Sequence, residues 1–145
     1  MTEKRYVPSS EVSAEIKISN STFISTASPA FSVDEAKEFI SQVRVRYSDA
    51  THNVPVYIIG HPPSVIEHSN DDGEPSGTAG RPALSILRGS GLGDIAVVIT
   101  RYFGGTKLGT GGLVRAYSDS MRAVLDKIIR AEKLSTVIAE FTVPY

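Results

Sequence analysis

The run Ile95-Ala96-Val97-Val98-Ile99 offers no polar face. A strand of this kind must be covered on both sides, so the chain has to build a sheet with this segment inside it. Immediately after the run, residues 101–112 place Gly104, Gly105, Gly109, Gly111 and Gly112 around Lys107. An amphipathic stretch follows, and its spacing predicts a helix over 113–129, with Val114, Tyr117, Met121, Val124, Leu125 and Ile128 as its apolar stripe. On the opposite face Arg115, Asp119, Arg122, Asp126 and Arg130 alternate in sign at helical spacing.

The other elements fall around this frame. Val12, Ala14, Ile16 and Ile18 alternate with polar residues as a half-buried strand does, and Asn20-Ser21 is a turn leading into a second strand. Ser32 with Glu35 forms a capping box ahead of Ala36, Ile40, Val43 and Tyr47, which recur at helical spacing. Residues 54–59 read as a buried strand, where Pro55 argues for an edge position. A short strand begins at Val65-Ile66, residues 70–80 read as a loop, and a short helix spans about 82–87. Val137, Ala139, Phe141 and Val143 alternate once more as a last strand. The order predicts an α/β chain, an α+β two-layer sandwich of one mixed sheet with its helices on one face. Residues 1–10 are read as a flexible opening segment and 11–133 as the domain. Residues 134–145 are read as a final strand or the start of a linker to a further domain.

Composition limits the function classes. At 145 residues, 41% hydrophobic and 21% charged, the chain has the size and balance of one globular domain. No apolar run approaches the ~20 residues of a membrane span, and the polar opening with Pro8 does not resemble a targeting peptide. The lack of cysteine excludes disulfides and thiolate metal sites, and fits a reducing compartment, so a cytoplasmic protein is expected. The net charge of −1 hides an asymmetry: residues 1–74 hold 6 Lys/Arg against 11 Asp/Glu, and residues 75–133 hold 9 against 4. The glycine-rich stretch therefore lies in the basic half, which suits phosphate or an acidic partner.

Glycines between a buried strand and a helix start allow a close approach, and the first N–H groups of the helix, with its dipole, favour an anion. Arg81, Arg101, Gly104, Gly105, Lys107, Gly109, Gly111, Gly112 and Arg115 are the expected anion- or partner-binding residues, with phosphate or sulfate as simple occupants. The order is neither a Walker loop nor a dinucleotide fingerprint. Asp71, Asp72, Glu74 and Thr78 are expected to form a second wall, with a carboxylate paired to Arg81 or Arg101. The acidic residues lack the order of a calcium loop, so neither metal nor other cofactor is expected. If the site is catalytic, Asp72, Glu74 and His52 are the candidates, because no nucleophile stands out.

Three groups of residues then carry a resemblance. The first runs Asp71-Asp72-Gly73-Glu74-Pro75-Ser76-Gly77-Thr78-Ala79-Gly80-Arg81-Pro82. The second is Val97-Val98-Ile99-Thr100-Arg101-Tyr102-Phe103-Gly104-Gly105, and the third is Lys107-Leu108-Gly109 with Gly111-Gly112-Leu113-Val114-Arg115-Ala116-Tyr117. Together with Ala50-Thr51-His52-Asn53 they resemble the Impact N-terminal domain family (YigZ/Impact) over residues 19–125. Ser21-Thr22-Phe23-Ile24 departs from that family's start, since Thr22 stands where a basic residue is usual.

The resemblance implies a sandwich with a left-handed β-α-β crossover, like the second domain of a small-subunit ribosomal protein and the GHMP kinases. It also implies a regulatory module linked to translation, whose partners would be RNA, the ribosome or a protein of the translation machinery. The alternative is an enzyme acting on a phosphorylated small molecule or nucleotide. No membrane partner is expected.

Overall fold

The computed structural model describes residues 4–134. The alternating segment 137–143 expected as a last strand lies outside the described residues. Ten elements follow in order: β1 (Tyr6–Pro8), β2 (Val12–Ile18), β3 (Ser21–Pro29), α1 (Val33–Arg46), β4 (His52–His61), β5 (Ser64–Ser69), α2 (Gly80–Gly89), β6 (Ile95–Tyr102), α3 (Gly109–Leu125) and β7 (Arg130–Glu132). None of the described helices is long and apolar enough to cross a membrane.

The α/β class expected from the element order holds, with β2-β3-β6-β4-β5 as the main sheet. Two details differ from the expectation. Every neighbouring pair in that sheet is antiparallel, so the sheet is not mixed. β3 and β4 both run against β6 and hence parallel to each other, which makes β3–α1–β4 a crossover with β6 inserted between its strands. The helices also lie on both faces. On one side α1 buries Ala36, Phe39, Ile40 and Val43 against Tyr57, Ile59, Ala96 and Val98. On the other, α2 and α3 pack Leu87, Leu113, Tyr117 and Met121 over Phe23, Val56, Val97 and Ile99. The doubly apolar β6 requires this arrangement, since covering one face would leave Ala96 and Val98 in water. Each buried valine, leucine, isoleucine, phenylalanine or methionine among them contributes about 1.5–3 kcal/mol.

Local signals account for most element boundaries. Ser32 Oγ accepts from Glu35 N at 3.1 Å, so Ser32 caps α1 as expected, while Glu35 Oε1 accepts from Phe31 N at 2.9 Å, one residue before the Ser32 N–H of a full capping box. Pro55 sits in the interior strand β4 rather than on an edge. Its carbonyl accepts from Asn70 N, so its missing N–H faces the flank where the pairing with β5 has already ended at Ser69. Tyr6–Pro8 forms β1 where the sequence predicts a flexible opening. It pairs with β7, and Val7 is only 6% exposed.

α3 starts four residues before the expected position and ends at Leu125, so Gly109, Gly111 and Gly112 lie in its first turn. Gly109 opens the helix at φ +75°, a left-handed conformation that favours glycine. Helix propensity argues against Gly111 and Gly112, but the packing of Leu113, Ala116 and Tyr117 beneath the turn prevails. Gly104 serves a different purpose. A Cβ at that position would stand 1.9 Å from the carbonyl oxygen of Asn20, the turn joining β2 to β3. Nothing lies within 4 Å of a Cβ built on Gly111.

The two glycines should therefore answer alanine oppositely. Gly104→Ala is expected to lower stability by about 1–3 kcal/mol, as overpacking does. Gly111→Ala should raise it by roughly 0.5–1 kcal/mol, and urea denaturation of both variants checks the contrast.

Candidate functional site

The 70–79 loop is organised by its own carboxylates. Asp71 Oδ1 accepts from Ala79 N at 3.2 Å and Gly80 N at 2.9 Å, while Oδ2 accepts from Gly77 N at 2.8 Å. Asp71 thus caps α2 from outside the helix, whose own cap residue, Ala79, has no side-chain acceptor. Burial alone would raise the Asp71 carboxyl, but the three N–H groups and the Arg81 charge outweigh it and hold the group below its ordinary value. Thr78 Oγ1 donates to the Pro75 carbonyl at 2.5 Å and closes the same loop.

From this loop two carboxylates reach to either side of the sheet's end. Asp72 Oδ2 accepts from Asn53 N at 2.7 Å, and Oδ1 lies 3.3 Å from Arg44 on α1. Glu74 turns the other way, beneath α3. There Arg101 Nη1 donates to both of its oxygens, at 3.0 and 2.8 Å, and the Tyr117 hydroxyl donates to Oε2 at 2.5 Å. The pair is deeply buried, with side-chain exposures of 6% for Arg101 and 3% for Glu74. The guanidinium lies over the rings of Phe23 and Phe103, 5.7 and 5.5 Å from their centroids, and Phe23 meets Tyr117 edge-on at 5.3 Å. Burial, then the bond to Glu74, pushes the Tyr117 hydroxyl far above its ordinary range, so it serves as a donor.

His52 completes the cluster. The Asp72 carbonyl, which can only accept, lies 2.7 Å from Nδ1 and so fixes the proton on that nitrogen. Nε2 is thereby aimed at Glu74 Oε1, 3.4 Å away.

These residues form the floor of a cleft of about 380 Å³. Its walls are Thr51, Pro75, Phe103, Lys107, Leu108 and the start of α3 at Gly109-Thr110, closing on Leu113. No side chain caps α3, and its first turn holds no acidic residue, so the helix dipole and free N–H groups face the cleft without competition. Among the described residues, Arg101 Nε is buried with no acceptor.

Of the residues predicted from sequence, the cleft brings together His52, Glu74, Arg101, Lys107 and Gly109. The expected carboxylate–arginine pairing is Glu74 with Arg101. Others lie elsewhere. Arg81 lines a separate hollow with Glu67, Ser69 and Arg88, while Gly104 packs on Asn20 with its N–H on Ser21 Oγ at 3.2 Å. Gly105, Gly111, Gly112 and Arg115 are not in the cleft wall, and Asp71, Asp72 and Thr78 support the loop from behind. By helical spacing Tyr117 belongs to the apolar stripe of α3. A tyrosine at a fully buried helical position is itself a signal for a polar partner.

Two outcomes follow from the cluster and the cap. Glu74→Gln removes the countercharge of a buried arginine and should lower stability by about 3–5 kcal/mol, against ~1–3 kcal/mol for Tyr117→Phe. Because both share one network, the double variant should lose measurably less than the sum in denaturant titrations. Asp71 has its carboxyl depressed in the folded state, so its contribution is present above the unfolded value near 3.9 and is lost as pH falls through the folded value. Asp71→Asn should therefore be less stable than the parent at neutral pH. Thermal melts should show that gap closing below about pH 4.

Comparison with known proteins places this geometry. The chain is 48% identical over 114 residues to "IMPACT family member YvyE" of Bacillus subtilis, an alignment covering 79% of this chain. A crystal structure of a hypothetical protein superimposes with a TM-score of 0.87 at 39% identity, over 92% of this chain. The two-domain translational regulator Yih1 superimposes with a TM-score of 0.51 at 22% identity, over 85% of this chain and 47% of Yih1, a likeness of fold alone. The chain spans 52% of the length of YvyE and 65% of that crystallised chain. The family model for the Impact N-terminal domain matches residues 19–125, which contain the whole cleft. The chain belongs to the Impact N-terminal domain family.

Proposed function

We propose that this chain is a cytoplasmic, non-catalytic regulatory module linked to translation, which binds an anionic group of RNA, the ribosome or a protein of the translation machinery in the cleft at the start of α3. The observation that carries this reading is the uncapped α3 N-terminus opening onto a cleft that also contains Lys107 and the buried Arg101. Those N–H groups and Lys107 are complementary to a phosphate or carboxylate, the Arg101 charge being met by Glu74, and the half-exposed Phe103 and Leu108 give an apolar rim. The link to translation is supported by the description of Yih1, which shares the fold, as a translational regulator.

A second reading rests on His52. Its ring is held at Nδ1 by the Asp72 carbonyl with Nε2 3.4 Å from Glu74 Oε1, so a proton on Nε2 lies between imidazole and carboxylate, as general acid–base chemistry uses. An enzyme acting on a phosphorylated small molecule or nucleotide would use this pair beside the anion site. Asp72 would then act only through its backbone, because its carboxylate is taken by Asn53 N and Arg44.

Titration with inorganic phosphate, a short single-stranded RNA and purified ribosomes, read by backbone amide shifts or sedimentation, tests the proposal. Binding is expected to perturb the amides of Gly109 and Thr110 and to weaken steeply with salt. Lys107→Ala should reduce affinity roughly tenfold, the effect of losing one charge-assisted hydrogen bond of ~1.5 kcal/mol. No binding of any of the three at low salt defeats the reading. Turnover of a phosphorylated metabolite that is abolished by His52→Ala favours the enzyme.

A further inference from the structure

β5 ends the main sheet, and among the described residues no strand pairs with its outer flank. The direction of its backbone groups can be read from its neighbour. Pro55 O accepts from Asn70 N on the β5 side of β4, whereas Gly60 N donates to Asp94 Oδ1 at 2.8 Å on the β6 side. Alternation then turns Tyr57 and Ile59 toward β5, where they pair with His68 and Ile66. Val65, Glu67 and Ser69 therefore direct their N–H and C=O groups outward, an unpaired row of donors and acceptors.

The surroundings of this edge are strongly basic on one face. A hollow of about 550 Å³ beside Val65 and Glu67 contains Lys4, Arg5, Arg88 and Arg130 over Ile58 and Leu92. A second, of about 560 Å³ beside Glu67 and Ser69, adds Arg81. The one carboxylate in either lining is Glu67, already held by Arg88 through bonds of 3.0 and 2.8 Å. On the other face of β5, Ile66 is 55% exposed. Neither hollow shares a lining residue with the cleft at α3.

We propose that the outer edge of β5 is a docking site for an extended peptide of a partner protein in which acidic and apolar residues alternate. The peptide adds as a further strand, exchanging main-chain hydrogen bonds with Val65, Glu67 and Ser69. Its acidic side chains face Arg5, Arg88 and Arg130, and its apolar ones cover Ile66. An RNA strand fits the charge but not the backbone: phosphates are acceptors, and would leave the outward carbonyls of β5 facing like groups.

The probe is a fluorescent octapeptide of alternating Glu and Val, titrated into the whole chain at low ionic strength of about 0.05 M. Binding should slow hydrogen exchange at the amides of Val65, Glu67 and Ser69 and leave that of Ile66 unchanged. The same peptide N-methylated at every residue keeps every charge but loses its main-chain donors on both edges, and should not bind. Arg5→Ala combined with Arg130→Ala, in a protein with an unchanged melting temperature, should weaken the plain peptide about five- to tenfold. The proposal is overturned if the plain peptide fails to bind, if the methylated one binds equally, or if the three amides gain no protection. It is equally overturned if a uridine decanucleotide protects those amides and the peptide does not.

Discussion

The buried pair of Arg101 and Glu74 is the interaction on which the functional end of this protein depends. Arg101 leaves β6 on the face covered by α3, where its charge would be prohibitively desolvated without a partner. Glu74 supplies the countercharge from a different part of the chain, and Tyr117 supplies a further donor from a third. Loop, strand and helix are thereby tied together, and the cleft exists because they are. Phe23 and Phe103 lie against the guanidinium, and its burial strengthens the electrostatic contacts inside.

Around this pair the 70–79 loop divides its carboxylates by task. Asp71 holds the loop's own backbone and the start of α2, and Asp72 fastens it to α1 and β4. Only Glu74 enters the cleft. An acidic cluster that reads as one functional unit is therefore mostly a device for fixing one residue. The consequence for chemistry is that the cleft has a neutralised floor, and its surplus positive potential comes from Lys107 and the helix start.

Legibility differed along the chain for identifiable reasons. The capping box at Ser32 and Glu35, the alternation in β2 and the apolar run of β6 are short-range patterns, and each produced the expected element. The start of α3 did not, because Gly109 opens it in a left-handed conformation and Gly111 and Gly112 have poor helix propensity, while the packing that overrides this comes from distant strands. The glycine-rich stretch and the acidic loop both stand out by residue type, and a carboxylate–arginine pair already joins them. Spacing alone could not separate Lys107, which faces the cleft, from Arg115, which does not.

What the amino-acid sequence determined by itself was the five strands of the main sheet and its three helices, the need for a sheet covered around β6, and the family, since periodicity, caps and long motifs are properties of neighbouring residues. Tertiary structure alone decided that the helices divide between two faces, that all strands of the main sheet pair antiparallel, and that Glu74 rather than Asp72 joins Arg101. The choice of ion pair depends on which carboxylate can be buried with its charge satisfied. That depends on groups 27 and 43 residues away from Glu74 in the chain, whose proximity no local pattern encodes.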